Sequence, residues 1–121
     1  MVKVAGFTLI ELVIVIAIIG ILAAVAIPKY LALATNAQTA STTAIAGALS
    51  SANNNNYTAR SLSTSLGSAI VNCTDVGNLL QNGLPTGYTI TTTAVTVGNT
   101  VTCTLNGPRS TTATFLATGI N

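Results

Sequence analysis

The sequence predicts an α+β protein: a long N-terminal helix, first membrane-spanning and then amphipathic, packed against a small antiparallel β-sheet head. Three observations carry that expectation. Leu12 to Ile27 reads LVIVIAIIGILAAVAI, without a polar side chain. Small and apolar residues then recur at helical spacing from Tyr30 to Ala52. From Tyr88 onward the chain alternates, dense in threonine, between turn residues.

The apolar run sets the first element. Extended back to Phe7 it is interrupted only by Thr8 and Glu11. A helix from Phe7 to Ile27 spans about 31 Å, the thickness of a hydrocarbon core. It is apolar on all sides, unlike the one-sided helix of a soluble domain. Its Ile and Val content is no obstacle, because a single segment in lipid satisfies its backbone as a helix. Lys3 precedes the run and Lys29 closes it, a weak guide to orientation. A secretory signal with Ala24-Val25-Ala26 as its cleavage site is one reading. A plain single-span anchor is a second.

The third reading comes from a motif. Gly6-Phe7-Thr8-Leu9-Ile10-Glu11-Leu12 resembles the processing site of type IV pilins and the related pseudopilins. The likeness continues through Gly20, Pro28 and Lys29-Tyr30 and covers about the first thirty residues. The resemblance implies that a membrane aspartic peptidase cuts between Gly6 and Phe7 on the cytoplasmic side. The same enzyme then N-methylates Phe7. It implies the type IV pilin fold, with Met1–Gly6 as leader, residues 7–52 as the long helix (7–27 in the membrane or filament core) and residues 53–121 as the head.

Glu11 matches the glutamate of that motif, and its physics can be stated independently. A carboxylate at the bilayer centre costs about 2.5–3.5 kcal/mol even on the lenient insertion scale. No basic side chain lies within Phe7–Ile27. Cleavage after Gly6 creates a cation, the free amine of Phe7. Within one chain Glu11 lies on the same helical face as Phe7. The resemblance implies instead that Glu11 meets the Phe7 amine of a neighbouring subunit. Such a pair fixes register even where it adds no net stability over an apolar pair. A Glu11 that snorkels to the interface is the alternative.

Gly20 and Pro28 punctuate the helix. Pro28 removes a backbone hydrogen bond and crowds the carbonyl of Ala24, so a kink or local melting is expected there. It fits the end of the span equally well. Gly20 weakens helix propensity and permits close backbone approach. The resemblance implies that this segment takes part in assembly, unwinding as subunits pack.

Beyond Pro28 the helix becomes amphipathic. Tyr30, Leu33, Ala34, Ala37, Ala40, Ala44, Ile45, Ala48, Leu49 and Ala52 form the expected buried stripe. The asparagine run Asn53–Asn56 reads as a stop. From Phe7 to Ala52 the rod measures about 69 Å.

The head has little core of its own. Ser61–Ser68 fits either helix or loop. Thr74-Asp75 is expected to cap a short turn through Val76, Leu79 and Leu80. Tyr88–Val97 reads as a strand, Gly98-Asn99 as a two-residue hairpin turn and Thr100–Leu105 as a strand with Val101, Cys103 and Leu105 inward. Asn106-Gly107-Pro108 turns again. Thr112–Ala117 follows, with Ala113, Phe115 and Ala117 on one side.

Cys73 and Cys103 are the two cysteines. In an exported domain they read as one disulfide, which the chain-entropy relation values at about 3.7 kcal/mol. A metal pair, which lacks further ligands, and two free thiols are the other readings. The resemblance implies a disulfide that pins the C-terminal region. Here the last strand lies outside the loop, a departure from that arrangement.

Composition excludes much chemistry. Charged residues make up 5% of the chain, and there is no histidine or tryptophan. The side-chain ions are Glu11, Asp75, Lys3, Lys29, Arg60 and Arg109. No His-based triad can form, and a zinc site would rest on two cysteines and one acid. No enzymatic activity, metal or cofactor is expected, and the net charge of +2 does not argue for nucleic acid. The resemblance implies a structural subunit of a type IV pilus, serving surface attachment or motility. Its partners are other copies of itself in a helical homopolymer, the inner membrane, the prepilin peptidase/methyltransferase and an assembly machinery. Its location is the bacterial inner membrane, then an extracellular pilus. The head is most similar to small major pilins of the mannose-sensitive-haemagglutinin or type IVa kind. The alternative is a pseudopilin of a type II secretion system. Major pseudopilins carry a calcium site built on acids near the C-terminus, and Ser110–Asn121 carries no charged side chain.

Overall fold

The computed structural model describes Lys3 and residues 5–121. It divides into two units, Met1–Thr35 and Asn36–Asn121. Helix α1 spans Leu9–Leu62. A 3-10 turn covers Cys73–Leu79, and strands β1 (Thr89–Ile90), β2 (Thr100–Asn106) and β3 (Thr112–Thr118) follow. The three strands form an antiparallel sheet in the order β1-β2-β3. The fold is the expected α+β arrangement, a long N-terminal helix with a small antiparallel sheet.

In the first unit α1 has no packing partner. Leu9 to Leu22 are exposed without exception. Pro28 lies inside the helix, so the expected local melting is not seen. One missing N–H is tolerated where the turns on either side keep their own bonds.

In the second unit α1 packs on the sheet through Thr42, Ala46, Leu49, Asn53 and Asn56. This corrects the expected stripe in part: Leu49 is buried and Ala34, Ile45 and Ala52 are half-buried, but Tyr30, Leu33, Ala37, Ala40, Ala44 and Ala48 are exposed. Alanine periodicity located a helical face, but not the face that meets the sheet. The core comprises Ala46, Leu49, Ile70, Cys73, Val76, Val95, Cys103, Leu105, Phe115 and Ala117.

The polar members of the buried stripe have partners across the interface. Ser50 Oγ accepts from the N–H of Leu116 at 3.2 Å, and Asn53 Oδ1 from that of Thr118 at 3.3 Å. Helix side chains thus cover the outer edge of β3, where backbone donors would otherwise be open. Asn56 reaches Ser68. The asparagines therefore do not end the helix at Ala52. At Asn53 and Asn56 the low propensity is offset by hydrogen bonds to the head, although Asn53 Nδ2 is buried without a partner among the described residues. The helix stops at Leu62 instead, where Arg60 Nη1 reaches past the end and donates to Thr64 O in the following turn at 2.8 Å. Of Ser61–Ser68, the first two residues close the helix and residues 63–68 form a turn.

The 3-10 turn is capped two residues earlier than expected. Asn72, not Thr74, is its cap: Thr74 N donates to Asn72 Oδ1 at 3.1 Å, and Asn72 N donates to Asp75 Oδ2 at 2.8 Å. Cys73 and Cys103 are bonded, with Cα atoms 5.8 Å apart, so the turn is tied to the middle of β2.

The expected strand Tyr88–Val97 shrinks to Thr89–Ile90. Beyond Thr91 the chain leaves β2 and pairs elsewhere. Val95 N donates to Val71 O at 2.8 Å and Cys73 N to Thr93 O at 2.9 Å. The next turn is displaced by one residue from Gly98-Asn99. Asn99 N donates to Thr96 O at 3.0 Å, which places Val97 and Gly98 at its centre, with Gly98 at φ 82, a type II arrangement. Val97 bridges Gly119 in parallel rather than closing a hairpin with Thr100. Burial in β2 and β3 follows the expected alternation, with Cys103, Leu105, Phe115 and Ala117 buried.

Candidate processing and assembly site

The N-terminal site is assembled by the start of α1. Residues 5–8 are outside the helix and exposed, and Phe7 is 91% exposed. Thr8 begins the helix through two reciprocal bonds. Its backbone N–H donates to Glu11 Oε2 at 2.9 Å, and the N–H of Glu11 donates to Thr8 Oγ1 at 3.3 Å. This is a capping box. It also places a carboxylate in the first turn, where the helix dipole favours negative charge.

The box has a consequence for backbone access. An amide within a helix is engaged in the i to i−4 ladder. The Gly6–Phe7 bond lies just outside that ladder, in exposed chain. Sequence reasoning assigned Glu11 to membrane charge pairing and overlooked Thr8. The signal was available: Thr8-Leu9-Ile10-Glu11 before an apolar run is the capping-box pattern.

The remaining expected site residues are placed as follows. Gly20 lies in α1 with nothing near its Cα that a side chain would meet. By helical periodicity it falls on the face opposite Glu11. Pro28 lies further along the same helix. Gly6, Phe7 and Glu11 are brought together at the helix start, while Gly20 and Pro28 stand apart from them. Cys73 and Cys103 belong to the second unit. Among the described residues no group of three or more histidines, cysteines or acids sits where it could hold a metal. Among them, α1 is the helix long and apolar enough to cross a membrane.

Comparison with known proteins addresses this N-terminal segment. Residues 1–27 match the family model described as the prokaryotic N-terminal methylation motif. No curated protein and no solved structure matches the chain. An exposed Gly6–Phe7 peptide bond, a capped helix start and an unpartnered apolar helix coincide with that motif. The chain therefore carries the leader of type IV pilins and pseudopilins, which implies cleavage by a prepilin peptidase and assembly into a pilus-like polymer.

Proposed function

We propose that this chain is the structural subunit of a type IV surface pilus. The observation that supports it best is the exposure of the whole apolar segment Leu9–Leu22 directly behind the methylation motif. Such a surface needs either lipid or other copies of itself. Both are supplied in succession: the segment anchors the precursor in the inner membrane, then packs among neighbouring helices once the subunit is extracted. The peptidase cuts between Gly6 and Phe7, and Phe7 is N-methylated. Glu11, facing the new amine of a neighbour, sets the axial register. The exposed alanines of α1, Ala37, Ala40, Ala44 and Ala48, allow close helix approach further along the rod. The chain itself catalyses nothing, and an assembly machinery supplies the work.

A surface pilus is favoured over a secretion pseudopilus by the head. Asp75 is its one acid, and its carboxylate is engaged in capping the 3-10 turn. That leaves little with which to build an acidic cation site near the C-terminus. Two measurements test the reading. Mass spectrometry of the mature chain is expected to give an N-terminal peptide starting at methylated Phe7; an intact Met1 or a start near Ile27 overturns it. Electron microscopy of sheared cell-surface material is expected to show long filaments of this chain, whereas filaments confined to the periplasm assign it to secretion.

A further inference from the structure

The head, residues 53–121, holds three charged side chains: Arg60, Asp75 and Arg109. Arg60 is used internally, its Nη1 donating to Thr64 O at 2.8 Å and Gly67 O at 3.4 Å. Arg109 is exposed and makes no hydrogen bond or ion pair among the described residues. Asp75 is half-buried, accepts the N–H groups of Val71 and Asn72 through Oδ2, and has no cation paired with it among the described residues.

The geometry holds the two charges apart. Arg109 stands at the tip of the β2–β3 hairpin, where Arg109 and Ser110 take φ 55 and φ 58. Two successive left-handed residues are rare without glycine, and here they form a tip at which Arg109 is exposed. The base of the tip is fixed. Gly107 N donates to Thr111 O at 2.8 Å, and the Thr111 hydroxyl meets that of Thr42 on α1 at 2.8 Å. Asp75 follows Cys73, which is bonded to Cys103 in β2. From Cys103 to Gly107 the strand runs four residues, roughly 13 Å. One exposed positive charge at the hairpin tip and one negative charge beside the disulfide, neither with an ion-pair partner among the described residues, thus lie on the same head.

We propose that Arg109 of one copy pairs with Asp75 of the next copy along the polymer. A contact between two different patches of the same chain is heterologous, and it propagates as a helix instead of closing on itself. The inference rests on the polymer reading above and adds to it a head-to-head contact with its own polarity. The helix contacts hold the filament together, while this pair sets how each head is turned.

The test uses filaments of the full chain. Arg109→Lys keeps the charge and supplies an amine that a carbodiimide couples to a carboxylate at zero length. Treated R109K filaments are expected to yield a covalent dimer whose cross-linked peptide joins Asp75 of one chain to the substituted position of another. Arg109→Glu is expected to lower filament yield roughly tenfold, since it places like charges opposite each other. Asp75→Asn, which keeps the acceptor that caps the 3-10 turn, is expected to lower it about threefold. R109K filaments that give no such peptide overturn the pair and leave the polymer reading intact. Normal yield from Arg109→Glu, or loss of filaments in R109K, also overturns it. Failure of the unsubstituted chain to form filaments overturns both readings.

Discussion

Asn56 grips the backbone of Ser68 with both ends of its amide. Its Nδ2 donates to Ser68 O at 2.8 Å, and its Oδ1 accepts from Ser68 N at 2.7 Å. The pairing reproduces one rung of an antiparallel ladder with a side chain in place of a strand. It fixes the turn between α1 and the rest of the head. Asn56→Ala is therefore expected to destabilise the head by about 1–2 kcal/mol, because two hydrogen bonds between buried Asn56 and exposed Ser68 are lost. Thermal melting of the detergent-solubilised chain measures this; an unchanged melting temperature would contradict it.

The capping box makes a prediction at the other end of α1. Thr8→Val removes the hydroxyl that accepts from Glu11 N and is expected to cost about 1 kcal/mol in the first helical turn, while Thr8→Ser retains it. Amide hydrogen exchange at Leu9 to Leu12 in micelles reads this directly. Equal protection in the Val and Ser variants would show that the box contributes nothing.

Glu11→Ala separates anchoring from assembly. Membrane insertion rests on the apolar run, and the Gly6–Phe7 bond stays exposed, so processing is expected to persist. Filaments are expected to be lost, since the register-setting carboxylate is gone. Mass spectrometry of the membrane fraction and microscopy of the cell surface provide the two readouts. Wild-type filament numbers from this variant would remove Glu11 from assembly.

The Cys73–Cys103 bond closes a loop with a sequence separation of 30. Replacing both cysteines by alanine is expected to lower head stability by about 3.7 kcal/mol on the chain-entropy relation. A denaturant titration of the intact and substituted chains gives the difference. The same titration under reductant is expected to move the unsubstituted chain toward the variant.

Gly107 sits where no side chain fits. A Cβ there would lie 2.6 Å from Thr42 Oγ1, 2.7 Å from Thr111 Oγ1 and 2.9 Å from Tyr88 Cε1. Tyr88 is itself held by Gln38, whose Nε2 donates to its hydroxyl at 2.8 Å, and by Ser41 at 3.1 Å. The Ser41 bond lowers the phenol below its ordinary pKa. Gly107→Ala is expected to cost about 1–3 kcal/mol by overpacking, with the hairpin tip losing its seat on α1. Calorimetry against the unsubstituted chain checks it.

The parts of this fold that were legible share a property: a residue type that decides its own environment. The apolar run could be nothing but a membrane or core helix. Val101, Cys103 and Leu105 alternate with Thr100, Thr102 and Thr104, so one register alone buries the apolar set. Tyr88–Val97 alternates too, but largely with threonine, which suits either face. Nothing local revealed that Thr93 and Val95 would pair with Cys73 and Val71 instead of β2. The asparagine run misled for a related reason. A polar amide inside a helix is unfavourable locally, and the bonds that compensate Asn53 and Asn56 come from residues far along the chain. At the N-terminal site, Gly6, Phe7 and Glu11 stood out as a motif, whereas Thr8 was visible only through the spacing that joins it to Glu11.

The covered margin of β3 has a further consequence. Molecules crowded side by side on a bilayer at high local density risk zipping into cross-β stacks, since any bare strand templates another. Ser50 and Asn53 occupy two donors of that strand, Leu116 N and Thr118 N, from within the same molecule. Over the last half of β3, growth through sheets is hindered, and the greasy N-terminal helix is left as the favoured route to a fibre.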